Sequence, residues 1–466
     1  MEPRSLQYIS DACKGRLSNG SADSLARGIS TDSRKSGPGD VFFAISGERF
    51  DGHIFVANVA RNGAAAVVVQ AGKIPETFKS CPVIEVEDSP RLALGRLAAR
   101  YRMDFKIPVI AVCGSNGKTT TKELVASVLR QVGSTLWNEG SYNNDVGVPL
   151  TLLRLEGKHW AAVVESGTNH PGELQSLLGL INPGMGLITN IGREHLEYFK
   201  DLEGVAREEG AIAQALPSNG VLFVNGDCAL SESIAKQAHC RVVRVGLGKQ
   251  NEYQAGHVRF FEKGVEFEVT CPKTGMNGTY QIKLLGRHQA VNALFAVAVG
   301  TELGLSREQV QRGLAECEAP KMRLQLWNVK GFQIIDDCYN ANTDSMNASL
   351  ETLREMPCLG RRVAVLGDMG EQGECSLKAH LEIGQRVASG GVDQLFVIGH
   401  LATQIAAAAR EKGMSRVSEF PDVEHATKEV SSFVRPGDLV LIKASRSMRL
   451  ERISECLKNG MTTSGK

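Results

Sequence analysis

The chain has 466 residues, which is too many for one ordinary hydrophobic core and predicts two or three domains. Its 53 Lys and Arg residues balance 52 Asp and Glu residues, and the formal charge of +1 excludes a general electrostatic attraction to nucleic acid or to an anionic membrane. The opening sequence MEPRSLQYISDACKGRL has no apolar core of signal-peptide length, and no later stretch reaches the roughly 18 apolar residues of a membrane span, so a cytoplasmic protein is expected.

The first segment alternates short apolar runs with glycine and aspartate turns, a pattern typical of a small α/β module. The residues from Val41 to Ile45 and from Ala64 to Val69 are predicted strands. Ser89 followed by Pro90 is typical of a helix start. The predicted helix places four apolar residues on one face: Leu94, Leu97, Ala98 and Tyr101. We place the first domain boundary before this helix, which gives an N-terminal domain of residues 1–88.

Two further series of strand-like runs follow. The runs VIAVC, WAAVVE, MGLITN and GVLFVN are separated by helix-length segments, which predicts a mostly parallel sheet flanked by helices in residues 89–319. After Pro320 the runs FQIID, RVAVLGD, QLFVIGH and DLVLIKA repeat the pattern and predict a Rossmann-like domain in residues 320–466. The predicted fold class is therefore α/β, with three domains.

A glycine-rich turn joins the first central strand to a helix. The strand VIAVC ends at Cys113 and runs into GSNGKTT, after which apolar residues at helical spacing continue. Such a turn can point backbone N–H groups at a phosphate, while Lys118 neutralises phosphate charge and Thr119 ligates Mg²⁺. The alternative is an ordinary strand-to-helix turn with an exposed lysine. We predict these nucleotide-binding residues: Cys113, Gly114, Ser115, Asn116, Gly117, Lys118, Thr119 and Thr120.

Motifs along nearly the whole chain resemble the Mur ligase family. TDSR from Thr31, PGDVFFA from Pro38 and the segment from Gly47 to His53 resemble its N-terminal UDP-binding domain. The central-domain matches are NNDVGVPLTLL from Asn143, VVESGTNHPGEL from Val163 and ITNIGREHLEYF from Ile188. The C-terminal matches, which resemble the member adding D-alanyl-D-alanine in particular, are GRHQAVNAL from Gly286, DDCYNANTDSM from Asp336, VLGDMGEQGE from Val365 and KASRSMRLE from Lys443.

This resemblance implies an ATP- and Mg²⁺-dependent ligase. Its substrates would be UDP-N-acetylmuramoyl-tripeptide and D-alanyl-D-alanine, joined through an acyl phosphate to give the pentapeptide precursor of peptidoglycan, ADP and phosphate. A monomer is expected, with no nucleic-acid partner and no membrane insertion. Two alternatives remain: another amide ligase of the superfamily, such as a folylpolyglutamate synthetase, and a non-catalytic P-loop protein. The sequence leaves open whether the tripeptide ends in L-lysine or meso-diaminopimelate, whether D-alanyl-D-lactate is accepted, and whether the domains are open or closed.

The resemblance also assigns the catalytic residues. Lys118 is one of them. Glu165, at the carboxyl edge of its strand, would ligate Mg²⁺ together with Thr119. His195 would ligate a second Mg²⁺. Glu209 stands where the family usually has a lysine carbamylated by CO₂. We predict that its carboxylate replaces the carbamate, either directly or through a bridging water, with Glu208 as the alternative metal-side carboxylate.

The remaining residues are assigned to the nucleotide and the substrate. His288 and Asn292 lie four apart on a predicted helix and can present polar groups together, and the family places Asn292 at ATP. The other nucleotide residues implied by the resemblance are Arg323, Asp337 and Asn340, although Cys338 and Thr343 depart from the commoner DDSYNANPDS sequence. The implied substrate-binding residues are Thr31, Ser33, Arg34, Gly47, Asn143 and Asn144. Nucleotide contacts from two domains predict closure of the C-terminal domain onto the central domain.

Overall fold

The structure is a computed structural model that describes residues 1–47, 50–261 and 264–459. Residues 48–49 of the motif from Gly47 to His53, residues 262–263 of the predicted central domain and residues 460–466 of the predicted C-terminal domain lie outside the described residues. The predicted α/β class and three-domain organisation are confirmed, because three large sheets occupy successive parts of the chain. No described helix has both the length and the apolar character needed to cross a membrane.

The N-terminal domain contains β1 (Arg4–Ser5), α1 (Leu6–Cys13), β2 (Arg16–Ser18), β3 (Leu25–Ala26), β4 (Gly28–Ser30), β5 (Asp40–Phe43), α2 (Val56–Arg61), β6 (Ala66–Gln70) and β7 (Val83–Val86), and α3 (Pro90–Arg102) follows at the boundary. Five strands form a sheet with the order β2-β7-β6-β5-β4, in which only β2 runs antiparallel to its neighbour. The predicted strands appear as β5 and β6, displaced by one or two residues at their ends.

The elements of the central domain are β8 (Val109–Cys113), α4 (Lys118–Leu129), β9 (Thr135–Trp137), α5 (Gly147–Leu152), β10 (Ala161–Glu165), α6 (Glu173–Ile181), β11 (Met185–Ile188), α7 (Leu196–Phe199), α8 (Leu202–Glu209), α9 (Ala211–Ala215), β12 (Val221–Asn225), α10 (Ala229–Ala235), β13 (Arg241–Gly246), β14 (Tyr253–Phe261), β15 (Gly264–Thr270), β16 (Gly278–Ile282), α11 (His288–Glu302) and α12 (Arg307–Glu316). Its strands form a nine-stranded sheet with the order β16-β15-β14-β13-β12-β11-β8-β10-β9.

The order of this sheet positions the site. Strand β8 lies between β11 and β10 and is parallel to both, so the carboxyl ends of the three strands meet at one edge. Ligands of open parallel sheets bind outside the carboxyl ends of the strands, at the point where the strand order reverses. Here that point is β8, because later strands of the chain lie on both sides of it. The strand pairs β14–β15 and β15–β16 are antiparallel and extend the far side of the sheet.

Helix α3 begins as predicted. The Ser89 hydroxyl accepts a hydrogen bond from the backbone N–H of Leu92, Pro90 occupies the first turn, and the predicted apolar face is completely buried. The helix contacts α1 in the N-terminal domain and α5 and α6 in the central domain, and one continuous hydrophobic core includes residues of both domains. Because α3 packs against both the N-terminal and the central domain, the domain boundary after residue 88 stays a prediction.

The elements of the C-terminal domain are β17 (Gln325–Val329), β18 (Phe332–Asp336), α13 (Thr343–Glu355), β19 (Arg362–Gly367), α14 (Ser376–Ser389), β20 (Gln394–Ile398), α15 (Thr403–Glu411), β21 (Val417–Phe420), α16 (Val423–Phe433), β22 (Leu439–Lys443) and α17 (Glu451–Asn459). Its strands form a six-stranded sheet with the order β17-β18-β22-β19-β20-β21, parallel except for β17. All four apolar runs predicted as strands are strands.

Candidate active site

A polar cavity of about 410 Å³ lies between the central and C-terminal domains. The two domains contact each other beside it, since Asn342 donates a hydrogen bond to Asn116 over 3.0 Å and the hydroxyls of Ser141 and Tyr339 are hydrogen-bonded. The structure therefore brings together residues predicted from distant parts of the sequence. Those lining the cavity are Ser115, Asn116, Gly117, Lys118, Thr119, Thr120, Asn143, Glu165, His195, Asn292, Arg323, Asp337 and Asn340.

The turn between β8 and α4 has the geometry of a phosphate-binding loop. Gly114 and Gly117 have φ values of 108° and 83°, which side-chain-bearing residues rarely adopt. A Cβ atom at Gly114 would lie 2.5 Å from the Thr189 hydroxyl oxygen, so space as well as conformation requires glycine. The first residue of α4 is Lys118, and the helix directs its unpaired N–H groups and its positive end toward the cavity.

Lys118 is held at the loop by carbonyl and carboxylate oxygens. Its ammonium group donates to the carbonyl of Ser115 over 3.0 Å and to Oε2 of Glu194 over 3.2 Å. Burial opposes the charged form, but the nearby carboxylates, led by Glu194, raise the pKa of Lys118. The lysine is therefore a permanent cation. Glu194 was missed in the sequence, where its only signal is its position directly before His195.

Glu165 lies opposite the phosphate-binding loop at the end of β10. Its Oε1 accepts hydrogen bonds from the Thr119 hydroxyl over 3.1 Å and from the side-chain amide of Asn143 over 2.9 Å. Its Oε2 is buried and has no hydrogen-bond partner among the described residues. The carboxylate thus has one oxygen fixed by neighbours and one available to a cation.

A second lysine, Lys122, is completely buried one helical turn after Lys118 and was missed in the sequence. Its ammonium group donates to the carbonyls of Asn138 and Gly140 over 2.6 and 2.7 Å. It lies 3.8 Å from the free Oε2 of Glu165. Lys122 therefore connects the Glu165 carboxylate to the loop that carries Asn143.

Glu209, the last residue of α8, lies directly beneath the phosphate-binding loop. Its Oε2 accepts a hydrogen bond from the backbone N–H of Gly114 over 2.7 Å, and its Oε1 is buried without a partner in the described part of the chain. Burial raises the pKa of Glu209 to about 8, although Lys118 opposes the shift. This residue and Gly114 do not line the cavity themselves, and neither does Cys113, whose side chain is buried in β8.

The neighbouring Glu208 has a different environment. One of its oxygens accepts hydrogen bonds from the Thr168 hydroxyl and the N–H of Leu174, over 3.0 and 2.8 Å, and the other accepts from the N–H of Gly172 over 2.7 Å. These contacts hold Glu208 at the start of α6. The geometry favours Glu209 over Glu208 as the carboxylate near the phosphates.

His195 lies where the central and C-terminal domains meet. Its Nδ1 is 2.5 Å from Oε2 of Glu371, and its Nε2 is 3.9 Å from Oε2 of Glu194. The contact with the His195 ring lowers the pKa of Glu371. His195 therefore faces the cavity in a position set by carboxylates from both domains.

The far end of the cavity is formed by polar groups of both domains. Asn292 donates to Gln289 over 2.7 Å, and burial lowers the pKa of His288 to about 4, which keeps its ring neutral. The Arg323 guanidinium lies over the Tyr339 ring, 4.2 Å from its centroid, and can stack in the same way near a base. These groups can stack on a heteroaromatic ring and form hydrogen bonds to a sugar.

Asp337 is engaged with a third lysine that was missed in the sequence. Its Oδ2 accepts hydrogen bonds from Lys443 over 2.6 Å and from the Ser349 hydroxyl over 2.7 Å. Lys443 also donates to the carbonyl of Asn340 over 3.0 Å. The buried ion pair between Asp337 and Lys443 fixes the segment that follows β18.

The predicted substrate residues of the N-terminal domain lie away from the cavity. Arg34 is exposed and ion-paired with Asp32 over 2.8 Å, and none of the predicted group lines the cavity: Thr31, Ser33, Arg34 and Gly47. Asn144 accepts hydrogen bonds from the N–H groups of Val146 and Gly147, over 3.2 and 2.8 Å, at the start of α5. Its amide therefore supports the loop, while the adjacent Asn143 reaches the cavity.

The predicted metal ligands have the chemistry that Mg²⁺ requires. In residues 1–47, 50–261 and 264–459, no three His, Cys, Asp or Glu side chains are arranged to hold a metal by themselves. Mg²⁺ commonly takes one or two carboxylates and completes its shell with phosphate oxygens and water. Glu165 and Glu209 each have a buried oxygen without a hydrogen-bond partner among the described residues, and such an oxygen can serve as a carboxylate ligand of this kind.

Comparisons with known proteins agree along the chain. Residues 112–300 match the profile described as the Mur ligase middle domain, residues 322–446 match the Mur ligase glutamate ligase domain, and residues 26–102 match the Mur ligase family catalytic domain. The chain is 35% identical to the UDP-N-acetylmuramoyl-tripeptide–D-alanyl-D-alanine ligase of Bacillus subtilis, and the match covers 97% of this chain and 98% of that protein.

Solved structures give the same picture. A crystal structure of MurF from Acinetobacter baumannii superposes with a TM-score of 0.90 at 31% identity, covering 99% of this chain and 100% of that chain. The MurF ligase from Thermotoga maritima in complex with ADP superposes with a TM-score of 0.83 at 27% identity, covering 93% of this chain and 97% of that chain.

Proposed function

Because the chain belongs to the Mur ligase family, we propose that it joins D-alanyl-D-alanine to UDP-N-acetylmuramoyl-tripeptide, with conversion of ATP to ADP and phosphate. The observation that carries the proposal is the cavity, where the phosphate-binding loop, Glu165 and His195 meet side chains of the C-terminal domain, with Glu209 bonded to the loop from beneath. The relative from B. subtilis bears this activity in its name and matches this chain over nearly its full length.

The reaction needs activation, because a carboxylate does not condense with an amine in water. Transfer of the γ-phosphoryl group to the terminal carboxylate of the tripeptide breaks the bond to ADP and forms an acyl phosphate. The amine of D-alanyl-D-alanine then attacks the acyl carbon, phosphate leaves, and the amine loses a proton. Positioning and charge neutralisation dominate the catalysis of phosphoryl transfer. Lys118 and the start of α4 supply positive charge at the phosphates.

The carboxylates and His195 would hold Mg²⁺. We assign Thr119 and Glu165 to one ion, since their side chains are hydrogen-bonded in the cavity. We assign His195 and Glu209 to the other, since His195 lines the cavity and Glu209 is bonded to the phosphate-binding loop. When bound, Mg²⁺ supplies neutralisation of the charge that develops on the phosphates. Glu209 would provide outright the carboxylate that a carbamylated lysine provides elsewhere in the family, so the enzyme would not need CO₂.

The other predicted residues divide between the nucleotide and the peptide substrate. We propose that Arg323 reaches the phosphates of ATP, that Asp337 and Asn340 hold its ribose and adenine, and that Asn292 also contacts the nucleotide. Closure of the C-terminal domain would complete this site. The UDP part of the substrate would be held by the N-terminal residues: Thr31, Ser33, Arg34 and Gly47. Asn143, which contacts Glu165, would face the reacting end of the substrate, and Asn144 would support it. A cytoplasmic monomer remains the expectation.

The two alternatives are not favoured. A folylpolyglutamate synthetase would lack the N-terminal UDP-binding domain, whereas residues 26–102 of this chain match a Mur ligase family profile. A non-catalytic P-loop protein would have no use for carboxylates with free oxygens beside the loop, or for full-length similarity to a named ligase.

ADP release distinguishes the three functions. We expect release from the purified protein only when both UDP-N-acetylmuramoyl-tripeptide and D-alanyl-D-alanine are present, together with Mg²⁺. A generic ATPase would release ADP without them, and a folylpolyglutamate synthetase would require a folate and glutamate. Lys118→Ala should abolish the reaction, while Lys158→Ala, which removes an exposed lysine paired with Glu156, should leave it unchanged. ADP release that ignores the two substrates would contradict the proposal.

A further inference from the structure

We propose that Arg193 is a positioning residue. Its hydrogen bonds hold the C-terminal domain against the loop carrying His195 and thereby strengthen nucleotide binding. The inference rests on the proposed function, because it takes the cavity as the site of Mg·ATP. It assigns a role to a side chain that does not line the cavity and that belongs to none of the predicted catalytic or binding residues.

The guanidinium of Arg193 lies between two carboxylates of the C-terminal domain. Its Nε and Nη2 donate to Oδ1 of Asp344 over 2.8 and 2.6 Å, and its Nη1 and Nη2 donate to the two oxygens of Glu382 over 2.7 and 3.1 Å. Its backbone N–H donates to the other oxygen of Asp344 over 2.7 Å. Asp344 and Glu382 lie on α13 and α14, so a single arginine joins two helices of one domain to a loop of the other.

The geometry requires arginine in particular. A planar guanidinium can donate to two carboxylates at once, whereas a lysine ammonium is a single point of charge. The three side chains are about one-third exposed, which weakens a simple ion pair by solvent screening. Arg193 donates five hydrogen bonds to the two carboxylates, and Asn347 also donates to Glu382 over 3.0 Å. The contact is therefore a network and not an isolated surface ion pair.

The loop next to Arg193 has a backbone conformation that needs support. His195 has a φ of 49°, and its partner Glu371, across the domain boundary, has a φ of 59°. Left-handed conformations of such residues are unfavourable and persist where surrounding contacts fix them. The N–H of Glu197 also donates to the carbonyl of Glu371 over 3.2 Å. The loop carrying His195 is thus held by C-terminal-domain residues on both sides of it.

These contacts imply a coupling between domain closure and the nucleotide site. If the hydrogen bonds of Arg193 to Asp344 and Glu382 are lost, the C-terminal domain opens more often and His195 is less often in position at the cavity. The apparent affinity for the nucleotide then falls in proportion to the competent population. Since neither Arg193 nor Glu382 lines the cavity, their effect on the nucleotide must act through position.

The test uses the full-length protein and Mg·AMP-PNP. We would measure the dissociation constant by calorimetry and the radius of gyration by X-ray scattering at matched nucleotide concentrations. Arg193→Ala should weaken binding about tenfold and enlarge the radius of gyration, as expected for couplings of this kind. Glu382→Ala should act in the same direction, and the double variant should be little worse than Arg193→Ala alone. Arg193→Lys should recover part of the affinity.

Turnover gives a second readout. In the ligation reaction Arg193→Ala should raise KM for ATP about tenfold and change kcat less than about threefold, because saturating nucleotide restores closure. Arg244→Ala is the matched control, since it removes a bidentate pair with Glu232 of similar exposure within the central domain. Should Arg193→Ala not fold, Glu382→Gln gives the same test on the surface of α14.

Unchanged affinity and radius of gyration in Arg193→Ala and Glu382→Ala would overturn the inference. An equal loss in Arg244→Ala would also overturn it, because the effect would then be general destabilisation. Failure of the proposed function looks different: the wild-type protein would not ligate the two substrates, whereas its nucleotide affinity would still depend on Arg193.

Discussion

The carboxylate of Glu209 accepts a hydrogen bond from the backbone N–H of Gly114 over 2.7 Å, which ties the end of α8 to the first residue of the phosphate-binding loop. The second oxygen of the same carboxylate is buried and has no partner among the residues that the structure describes. A buried carboxylate oxygen without a donor is unfavourable unless a cation reaches it. This relationship makes Glu209 the most informative residue of the candidate site.

Removing the carboxylate should remove most of the activity. We expect Glu209→Ala to lower kcat/KM about 10- to 100-fold, the size of effect seen when groups supporting a metal are lost. Wild-type activity should be the same in CO₂-depleted and bicarbonate-containing buffer. Glu209→Lys should be inactive in depleted buffer and should recover in part when bicarbonate is added. Undiminished activity of Glu209→Ala, or a bicarbonate requirement of the wild type, would contradict the assignment.

The raised pKa of Glu209 predicts a pH dependence of stability. Its pKa is about 8 in the folded protein and 4.5 ordinarily. Between these values the unfolded chain loses the proton while the folded protein keeps it, so the unfolded chain binds fewer protons. The free energy of unfolding therefore falls as the pH rises from 4.5 to 8, and no further contribution comes above that range.

Glu209→Gln removes this dependence, because the amide cannot ionise but its oxygen can still accept from Gly114. The free energy of unfolding is measured with urea, without nucleotide, at the acidic and at the basic end of this pH range. From the acidic to the basic end, the free energy of unfolding of Glu209→Gln should rise relative to that of the wild type by more than about 1 kcal/mol. The control is Glu139→Gln, whose side chain is 68% exposed. A stability difference that does not change with pH would show that Glu209 ionises normally.

Much of the fold follows from the sequence because buried parallel strands are continuous apolar runs. The runs VIAVC and FQIID form strands β8 and β18 without displacement, and in GSNGKTT the first four residues form the turn and the last three begin α4. The antiparallel strands β14 to β16 were not predicted. They extend the sheet at its far edge, and in β14 exposed and part-buried residues interrupt the apolar pattern that identified the other strands.

The site was predicted less completely, for a different reason. Motifs identify residues such as Lys118 and Glu165, but not the partners that fix them. Glu194 meets Lys118 only because a loop 76 residues later in the chain folds over the turn. Lys122 and Lys443 look like surface lysines in the sequence, yet both are buried against carboxylates. Such pairs depend on tertiary contacts that spacing along the chain does not encode.

Glu165→Gln should weaken the metal and leave the fold intact. The amide keeps an oxygen that can accept from Thr119 and Asn143, but it loses the charge that a cation requires. We expect the Mn²⁺ affinity of the nucleotide complex, measured by electron paramagnetic resonance, to fall about 10- to 100-fold. Glu316→Gln, on the exposed end of α12, is the control. Unchanged Mn²⁺ affinity would remove Glu165 from the metal site.

Lys122→Met should destabilise the central domain as well as the site. The ammonium group of Lys122 satisfies the carbonyls of Asn138 and Gly140 and forms an ion pair with Glu123 over 2.9 Å. Methionine fills similar space but leaves these carbonyls unpaired and Glu165 without its nearby cation. Breaking a buried pair in this way costs about 3–5 kcal/mol.

Thermal unfolding followed by calorimetry measures the effect of Lys122→Met, and Lys283→Met is its matched control. Lys283 pairs with Glu318 at the surface over 2.8 Å, with 44% of its side chain exposed, so its loss should change stability by less than about 1 kcal/mol. The addition of Mg·AMP-PNP should stabilise Lys122→Met less than the wild type, because the displaced loop also carries Asn143. Equal stability of the two variants would mean that Lys122 is not the internal partner of Glu165 and of this loop.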